Sequence, residues 1–120
     1  MVDQKELGRK GEELACVELQ SKGYKIRTRN YKFLKAEIDI VAEIEDNIVF
    51  VEVKTRMSAY LTDPSLLVPL GKQRQIIKAA DNYVKDHCPE MKWRFDIMIV
   101  VTNKEYTSIE HIEDAYYPMV

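Results

Sequence analysis

The chain has 120 residues, of which 46% are hydrophobic and 32% are charged, and its net charge is −2. This length allows one hydrophobic core, and the composition is ordinary for a soluble globular protein, so we expect a single domain over residues 1–120. No apolar run approaches the roughly 20 residues of a membrane-spanning helix, which argues against a membrane protein.

The N-terminus and the cysteines indicate the compartment. The first 13 residues are polar and charged and lack the apolar core of a signal peptide. Cys16 and Cys88 are far apart, and we interpret both as buried reduced thiols, so we expect a cytoplasmic protein. Residues 1–35 carry a balance of +4 and the remaining 85 residues −6. This distribution argues against tight non-specific nucleic-acid binding without excluding a basic DNA-binding face.

Residues 4–22 predict the first helix, with small and apolar residues along one stripe. This stripe contains Gly8, Gly11, Ala15 and Leu19. Glu12 falls close to the stripe and can face a sheet, whereas Glu13 points toward solvent. Glu18 also borders the stripe, so the spacing alone does not single out Glu12. The two glycines would let the helix approach another backbone closely near Glu12.

Residues 24–31 predict a first strand on which Lys25, Arg27 and Arg29 share one side. Two interpretations carry similar weight. Charges on an edge strand protect it against aggregation. Alternatively, the arginines contact phosphates next to an acidic site.

Residues 36–44 and 48–56 predict the two arms of a β-hairpin. Because side chains alternate along a strand, one side of the first arm is expected to contain Ile38, Ile40, Ala42 and Ile44. The opposite side contains Asp39. On the second arm, Glu52 and Lys54 share a face.

The hairpin register decides how these charged residues meet. A turn through Asp46-Asn47 would place Asp39 opposite Lys54, and a register two residues away would place it opposite Glu52. Both registers leave the two acids and the lysine on the same face, whereas a slip of one residue would separate them.

Two carboxylates beside an ammonium on a surface otherwise built for burial predict a magnesium site. Mg²⁺ prefers oxygen ligands and is usually bound by one or two carboxylates together with water and substrate phosphate. The structural alternative is a cross-strand salt bridge between Asp39 and Lys54, worth at most ~1 kcal/mol.

The second half of the chain completes an α/β pattern. Residues 57–71 contain two prolines and predict a long loop that is either functional or mobile. Residues 72–87 predict a second helix, residues 93–101 an interior strand and residues 108–112 a short strand. The predicted order is α-β-β-β-α-β-β, with a mixed central β-sheet flanked by helices.

Other polar residues are weaker candidates. Arg56 continues the Glu52–Lys54 face, and either phosphate contact or a solvated position fits it equally well. Lys72 begins the second helix near the long loop and could also contact phosphate. Asp96 is interpreted as structural, paired with a helix residue. His87 and His111 show no zinc spacing with the cysteines and are interpreted as bystanders.

The ordered combination of motifs resembles the YraN-like family of small bacterial proteins, which is assigned to the restriction-endonuclease-like PD-(D/E)XK superfamily together with archaeal Holliday-junction resolvases. The likeness extends from Leu7 to Tyr116. It rests on Gly8-x-x-Gly11-Glu12, Glu37-Ile38-Asp39, Val49-Phe50-Val51-Glu52-Val53-Lys54-Thr55-Arg56 and Arg94-Phe95-Asp96.

The resemblance implies a role for each site residue. Asp39 and Glu52 correspond to the metal-binding acids, with the Val53 carbonyl as a further ligand of Mg²⁺ or Mn²⁺. Lys54 corresponds to the superfamily's catalytic lysine. Glu12 corresponds to the helical glutamate of the resolvase-like branch. We therefore expect Glu12, Asp39, Glu52 and Lys54 to be catalytic.

The resemblance also implies a restriction-endonuclease-like fold and a metal-dependent endonuclease that hydrolyses phosphodiester bonds in DNA, with branched or damaged DNA in repair or recombination as the expected substrate. Candidate nucleic-acid contacts are Arg27, Arg29, Arg56 and Lys72. A non-catalytic nucleic-acid-binding or repair-accessory module and a protein-interaction domain are the alternatives. A homodimer would cut two strands symmetrically, although no apolar stripe identifies its interface. Ala36 replaces a glycine that the family usually has, a departure that concerns the local turn rather than the chemistry.

Overall fold

Two helices cover opposite faces of one mixed β-sheet, and they follow the element order that the sequence predicts. We describe residues 3–58 and 68–117 of a computed structural model of the chain. The elements are α1 (Gln4–Ser21), β1 (Lys25–Phe33), β2 (Ala36–Ile44), β3 (Asn47–Arg56), α2 (Leu70–His87), β4 (Lys92–Thr102) and β5 (Thr107–Tyr116). The predicted α/β fold is confirmed, although β5 is longer than the predicted residues 108–112. Most of the predicted 57–71 loop lies outside the described residues.

The five strands lie in sequence order across the sheet, β1-β2-β3-β4-β5. The pairs β1–β2, β2–β3 and β4–β5 are antiparallel, and β3–β4 is parallel. Parallel neighbours need a long crossover, which α2 supplies. The arrangement places β3 and β4 in the interior and β1 on one edge, as the charge pattern of β1 predicts.

Alternating side chains of β3 divide the core into two layers. Ile48 and Phe50 pack in the layer beneath α2, and Val49 and Val51 pack in the layer beneath α1. All four are at most 1% exposed. Because β3 is buried on both faces, a charged residue near its C-terminal end must be compensated locally.

The β2–β3 hairpin adopts the second of the two predicted registers. Ile44 pairs with Asn47, and the turn is formed by Glu45 and Asp46, with Glu45 at φ 53°. The prediction of a turn through Asp46-Asn47 is therefore wrong. The adopted register pairs Val41 with Phe50, whereas the other would have placed Val41 beside Glu52. Apolar pairing in the core thus outweighs the cost of a glutamate with a positive φ.

The alternation of β2 is interrupted at Asp39. Ile38 packs in the layer beneath α2, whereas Ile40 packs beneath α1, so the prediction that they share a side is wrong. Pairing with β3 ends at Ile40–Val51. One residue further, the Asp39 carboxylate accepts a hydrogen bond from the Val53 N–H at 2.8 Å. This local irregularity replaces a ladder hydrogen bond with a side-chain contact.

Both cysteines are free and buried, as predicted. Neither of the helices in the described ranges combines the length and the apolar character needed to cross a bilayer.

Candidate active site

The predicted acidic residues meet in one cavity of about 270 Å³, between the N-terminal half of α1, the start of β2 and the end of β3. Six candidate residues line it, namely Glu12, Asp39, Glu52, Val53, Lys54 and Arg56. The cavity therefore joins residues from three elements that are distant along the chain, as the sequence predicts for the acids and Lys54.

Asp39 is the most strongly perturbed carboxyl group of the site. Burial and, to a lesser extent, the nearby charge of Glu52 raise the pKa of Asp39 from 3.8 to about 7. The hydrogen bond from the Val53 N–H acts in the opposite direction. Two carboxylates therefore oppose each other in a poorly hydrated space, which is an arrangement that a cation would stabilise.

Glu52 is buried at 6% exposure and is held by two lysines. Lys72 Nζ lies 2.6 Å from Glu52 Oε1, and Lys54 Nζ lies 3.7 Å from the same oxygen. Burial lowers the pKa of Lys72, but the hydrogen bond and charge of Glu52 outweigh burial, so its pKa is raised. The pKa of Lys54 is lowered, chiefly by burial and further by the neighbouring Lys72.

Lys72 is thus a closer partner of Glu52 than the motif residue Lys54. In a β3–α2–β4 crossover, the N-terminus of the helix returns toward the C-terminal end of the first strand. That topological rule is the signal by which Lys72 could have been given more weight from the sequence.

Glu12 turns toward the cavity and Glu13 toward solvent, as helical geometry predicts. Their side chains are 19% and 66% exposed, respectively. Burial raises the pKa of Glu12, although the charge of Arg29 counteracts this rise. Arg29 Nη2 lies 3.7 Å from Glu12 Oε1. With its amide oriented for hydrogen bonding, Asn30 donates to the same oxygen at 3.3 Å.

Close approach of α1 to β3 fixes the position of Glu12. A Cβ atom on Gly11 would lie 1.8 Å from Thr55 Oγ1, so only glycine allows this distance. Gly8 differs, because a Cβ there meets no atom within 4 Å. The predicted close contact is therefore confirmed at Gly11 but not at Gly8, which instead lines the open cavity.

The basic residues of β1 do not share one side, contrary to prediction. A bulge between Ile26 and Thr28 shifts the register at Arg27, so Arg29 reaches α1 while Arg27 lies over the Tyr83 ring of α2 at 5.7 Å. Arg27 lines a different cavity, beside the hairpin end of β2. The structure thus places Arg29 next to the acidic site and Arg27 away from it.

Arg56 lines the acidic cavity and donates from Nη1 to the Thr55 carbonyl at 3.0 Å. Among residues 3–58 and 68–117 it forms no ion pair with a carboxylate. Its charge is therefore uncompensated within the described part of the chain.

A second buried charge cluster lies elsewhere in the sheet, around Asp96, which is 0% exposed. Arg94 donates to both Asp96 oxygens at 2.8 and 2.7 Å, and the Asp114 N–H donates to one of them at 3.0 Å. His111 Nε2 lies 2.6 Å from Asp96 Oδ2, and its Nδ1 lies 2.7 Å from Lys22 Nζ. The structural interpretation of Asp96 is confirmed.

Two details of the sequence-based interpretation of Asp96 and His111 are wrong. Asp96 pairs with β4 and β5 rather than with a helix, and His111 belongs to the cluster rather than being a bystander. Burial raises the pKa of Asp96, but hydrogen bonds from His111 and Arg94 outweigh burial and lower it. The pairing of His111 with Met98 across β4–β5 depends on a register that the sequence does not specify.

The donor set of the acidic cavity fits a hard divalent cation. Asp39 and Glu52 supply carboxylate oxygens, and the Val53 peptide lies beside them. In the described ranges, no three His, Cys, Asp or Glu residues are close enough to form a complete metal cluster. Mg²⁺ does not require one, because it commonly keeps water and substrate phosphate as its remaining ligands.

Comparison with known proteins gives the family. Residues 11–100 match the family described as "Uncharacterised protein family UPF0102". The chain belongs to this family. The UPF0102 protein of Christiangramia forsetii is 40% identical over 117 residues, which cover 98% of each chain. The UPF0102 protein of Phocaeicola vulgatus is 41% identical over 120 residues, covering all of this chain and 99% of the relative.

The UPF0102 protein of Chlorobium chlorochromatii is 42% identical over 118 residues, which cover 93% of this chain and 92% of the relative. The predicted YraN-like relationship is therefore confirmed over nearly the whole chain. The names of these UPF0102 relatives state no reaction, so the activity must be argued from the site.

Proposed function

We propose that the protein is a Mg²⁺-dependent endonuclease that hydrolyses phosphodiester bonds in DNA, on a restriction-endonuclease-like scaffold of the PD-(D/E)XK type. Branched or damaged DNA in repair or recombination is the proposed substrate. One observation carries the proposal. Asp39 and Glu52, from different strands, oppose each other in a cavity with Lys54, and burial together with the charge of Glu52 raises the pKa of Asp39. Perturbed carboxylates in a cleft are typical of catalytic sites.

Asp39, Glu52 and the Val53 carbonyl are the groups that would hold Mg²⁺, with Mn²⁺ as an alternative ion. When bound, the ion would polarise the phosphate and lower the pKa of a bound water. Lys54 lies beside Glu52, where its ammonium group can orient the attacking water or neutralise charge that develops on the phosphate. Glu12, positioned by Arg29 and Asn30, would accept a hydrogen bond from a water molecule in the cavity.

The cations of the cavity would position the DNA strand. Lys72 neutralises Glu52 in the absence of substrate, and its ammonium becomes available to a phosphate once Glu52 has another partner. Arg56 lines the same cavity without an ion pair in the described ranges, which supports a phosphate contact. Arg29 is already engaged by two glutamates, so we assign it to positioning. Arg27 lies in a different cavity and is not part of this proposal.

A cleavage panel tests the proposal. Purified protein is incubated with linear duplex, flap, bubble and four-way-junction DNA in Mg²⁺, Mn²⁺ or EDTA. We expect metal-dependent cleavage of at least one form, lost in Asp39→Asn and Glu52→Gln. Glu12→Gln is expected to reduce the rate roughly 10- to 100-fold, as for a group acting through a metal ligand. Its matched neighbour Glu13→Gln should remain active, and equal losses in both variants would remove Glu12 from the mechanism.

The second candidate is a non-catalytic nucleic-acid-binding module, favoured by the ion pair that Lys72 already forms with Glu52 at 2.6 Å. It predicts binding that weakens with salt, no cleavage, and no effect of Glu52→Gln. Absence of binding to DNA and RNA at low salt would instead favour a protein-interaction domain.

A homodimer would bring one site to each strand of a duplex. Sedimentation analysis with and without DNA tests whether the protein dimerises.

A further inference from the structure

The tip of the β1–β2 hairpin carries an exposed leucine in an unusual conformation. Phe33 pairs with Ala36, so Leu34 and Lys35 form a two-residue turn. Leu34 has φ 55° and is 83% exposed. Such turns favour glycine or asparagine, because an L side chain is strained at positive φ. Leu34 therefore exposes a large apolar side chain from a strained backbone. Strained residues often occur at binding sites.

This tip and α2 enclose a groove of about 370 Å³, within the roughly 300–1,000 Å³ of typical ligand sites. The groove is lined by Phe33, Leu34, Lys35, Ala36, Gln75 and Lys78. Phe33 supplies an aromatic surface and Gln75 an amide that can both donate and accept hydrogen bonds. None of the described residues that line the groove carries a carboxylate.

The charge of the groove indicates an anionic partner. Lys35 and Lys78 are both exposed, and neither forms an ion pair with any residue in the described ranges. An apolar and aromatic floor between two ammonium groups is a combination that binds nucleotides, because the ring stacks on a base while the cations contact phosphates.

The groove lies close to the acidic cavity. Ala36, in the groove, precedes Asp39 by three residues on β2, or about 10 Å at the rise of a β-strand. On α2, Gln75 follows Lys72 by three residues, so the two are neighbours one turn apart. Along the axis of a DNA helix, about 10 Å of one strand contains roughly three nucleotides.

We propose that this groove binds an unpaired nucleobase of the DNA strand whose phosphodiester lies in the acidic cavity. Phe33 stacks on the base, Gln75 hydrogen-bonds its edge, Leu34 separates it from the adjacent stack, and Lys35 and Lys78 contact flanking phosphates. This inference rests on the proposed function and specifies its substrate class, which is DNA with unpaired nucleotides next to the cut, as in flaps and bubbles.

Binding of bubble and fully paired DNA tests the inference. Both DNAs carry 2-aminopurine at the same position, and fluorescence anisotropy is measured in EDTA so that no cleavage occurs. The wild type is expected to prefer the bubble and to change the 2-aminopurine emission, which reports base stacking. Leu34→Gly and the double variant Lys35→Gln/Lys78→Gln are expected to weaken bubble binding about tenfold and duplex binding less than twofold.

Two controls keep the result interpretable. Leu34→Gly removes the strained side chain and should not lower the melting temperature, so a loss of binding cannot be attributed to unfolding. Lys85→Gln changes another exposed lysine of α2, which pairs with Asp81, and should leave binding unchanged.

The outcomes separate this inference from the proposed function. If the wild type cleaves DNA but the groove variants bind bubble and duplex DNA as the wild type does, the base-binding groove is refuted while the nuclease proposal stands. That result would also be expected of a protein-binding groove. If the wild type neither binds DNA in EDTA nor cleaves it with Mg²⁺ or Mn²⁺, both proposals fail.

Discussion

Replacing Asp39 with asparagine should stabilise the metal-free protein. Burial and the charge of Glu52 raise the pKa of Asp39 from 3.8 to about 7. At pH 8, ionisation therefore costs roughly 4 kcal/mol more in the folded than in the unfolded chain, since one pH unit corresponds to about 1.4 kcal/mol. The asparagine amide keeps an oxygen for the Val53 N–H but carries no charge, so we expect Asp39→Asn to gain up to about 4 kcal/mol.

The pH dependence gives the sign of this effect. Because the pKa of Asp39 is raised in the folded state, the folded chain is favoured most below pH 3.8, where Asp39 is protonated in both states. This stabilisation is lost as the pH rises to about 7. The free energy of unfolding of Asp39→Asn should therefore match that of the wild type near pH 4. The difference should increase up to about pH 7 and then remain constant.

Urea denaturation of both proteins in EDTA, from pH 4 to pH 8, measures this difference. Asp96→Asn is a matched control, because Asp96 is also buried in the sheet but its pKa is lowered. The Asp96 carboxylate stabilises the folded chain above pH 3.8, and this stabilisation is lost as the pH falls through the folded-state pKa of Asp96. Asp96→Asn should thus cost roughly 3–5 kcal/mol at pH 7, because it removes the buried negative charge that Arg94 pairs with. An Asp39→Asn protein that is less stable than the wild type at pH 8 would show that ionised Asp39 does not destabilise the folded chain.

Two further predictions concern the contacts around the cavity. Gly11→Ala should destabilise the fold by about 1–3 kcal/mol, because its Cβ would lie 1.8 Å from Thr55 Oγ1, whereas Gly8→Ala should gain up to ~1 kcal/mol in open space. Equal melting-temperature changes in the two variants would contradict the close packing. Lys72→Met should bind Mn²⁺ about tenfold more tightly in calorimetric titrations, because Lys72 no longer competes for Glu52. Weaker Mn²⁺ binding in this variant would show that Lys72 does not occupy the cation position.

Local periodicity was sufficient to predict much of the fold and of the site. The helical period distinguished Glu12 from Glu13. The predicted hairpin brought Asp39 and Glu52 to the same end of two paired strands, although the alternation that it assumed for β2 is interrupted at Asp39. These inferences succeeded because each depends on residues within one element or on two strands joined by a short turn.

The features that were missed depend on contacts between distant elements. Lys72 reaches Glu52 through the crossover path of α2, and His111 reaches Asp96 through the register of β4 and β5. Arg27 and Arg29 were placed on one side because a bulge has no sequence signature in this strand. The hairpin register was decided by the pairing of Val41 with Phe50, a tertiary preference that overrode local turn propensity.

A crystal structure of the protein grown with Mn²⁺, with anomalous diffraction to locate the ion, would show whether Asp39 and Glu52 bind one cation together. We expect one ion in the acidic cavity, within about 2.0–2.2 Å of a carboxylate oxygen of both Asp39 and Glu52, with Lys72 moved away from Glu52. An empty cavity at saturating Mn²⁺, with Lys72 still bonded to Glu52, would contradict it.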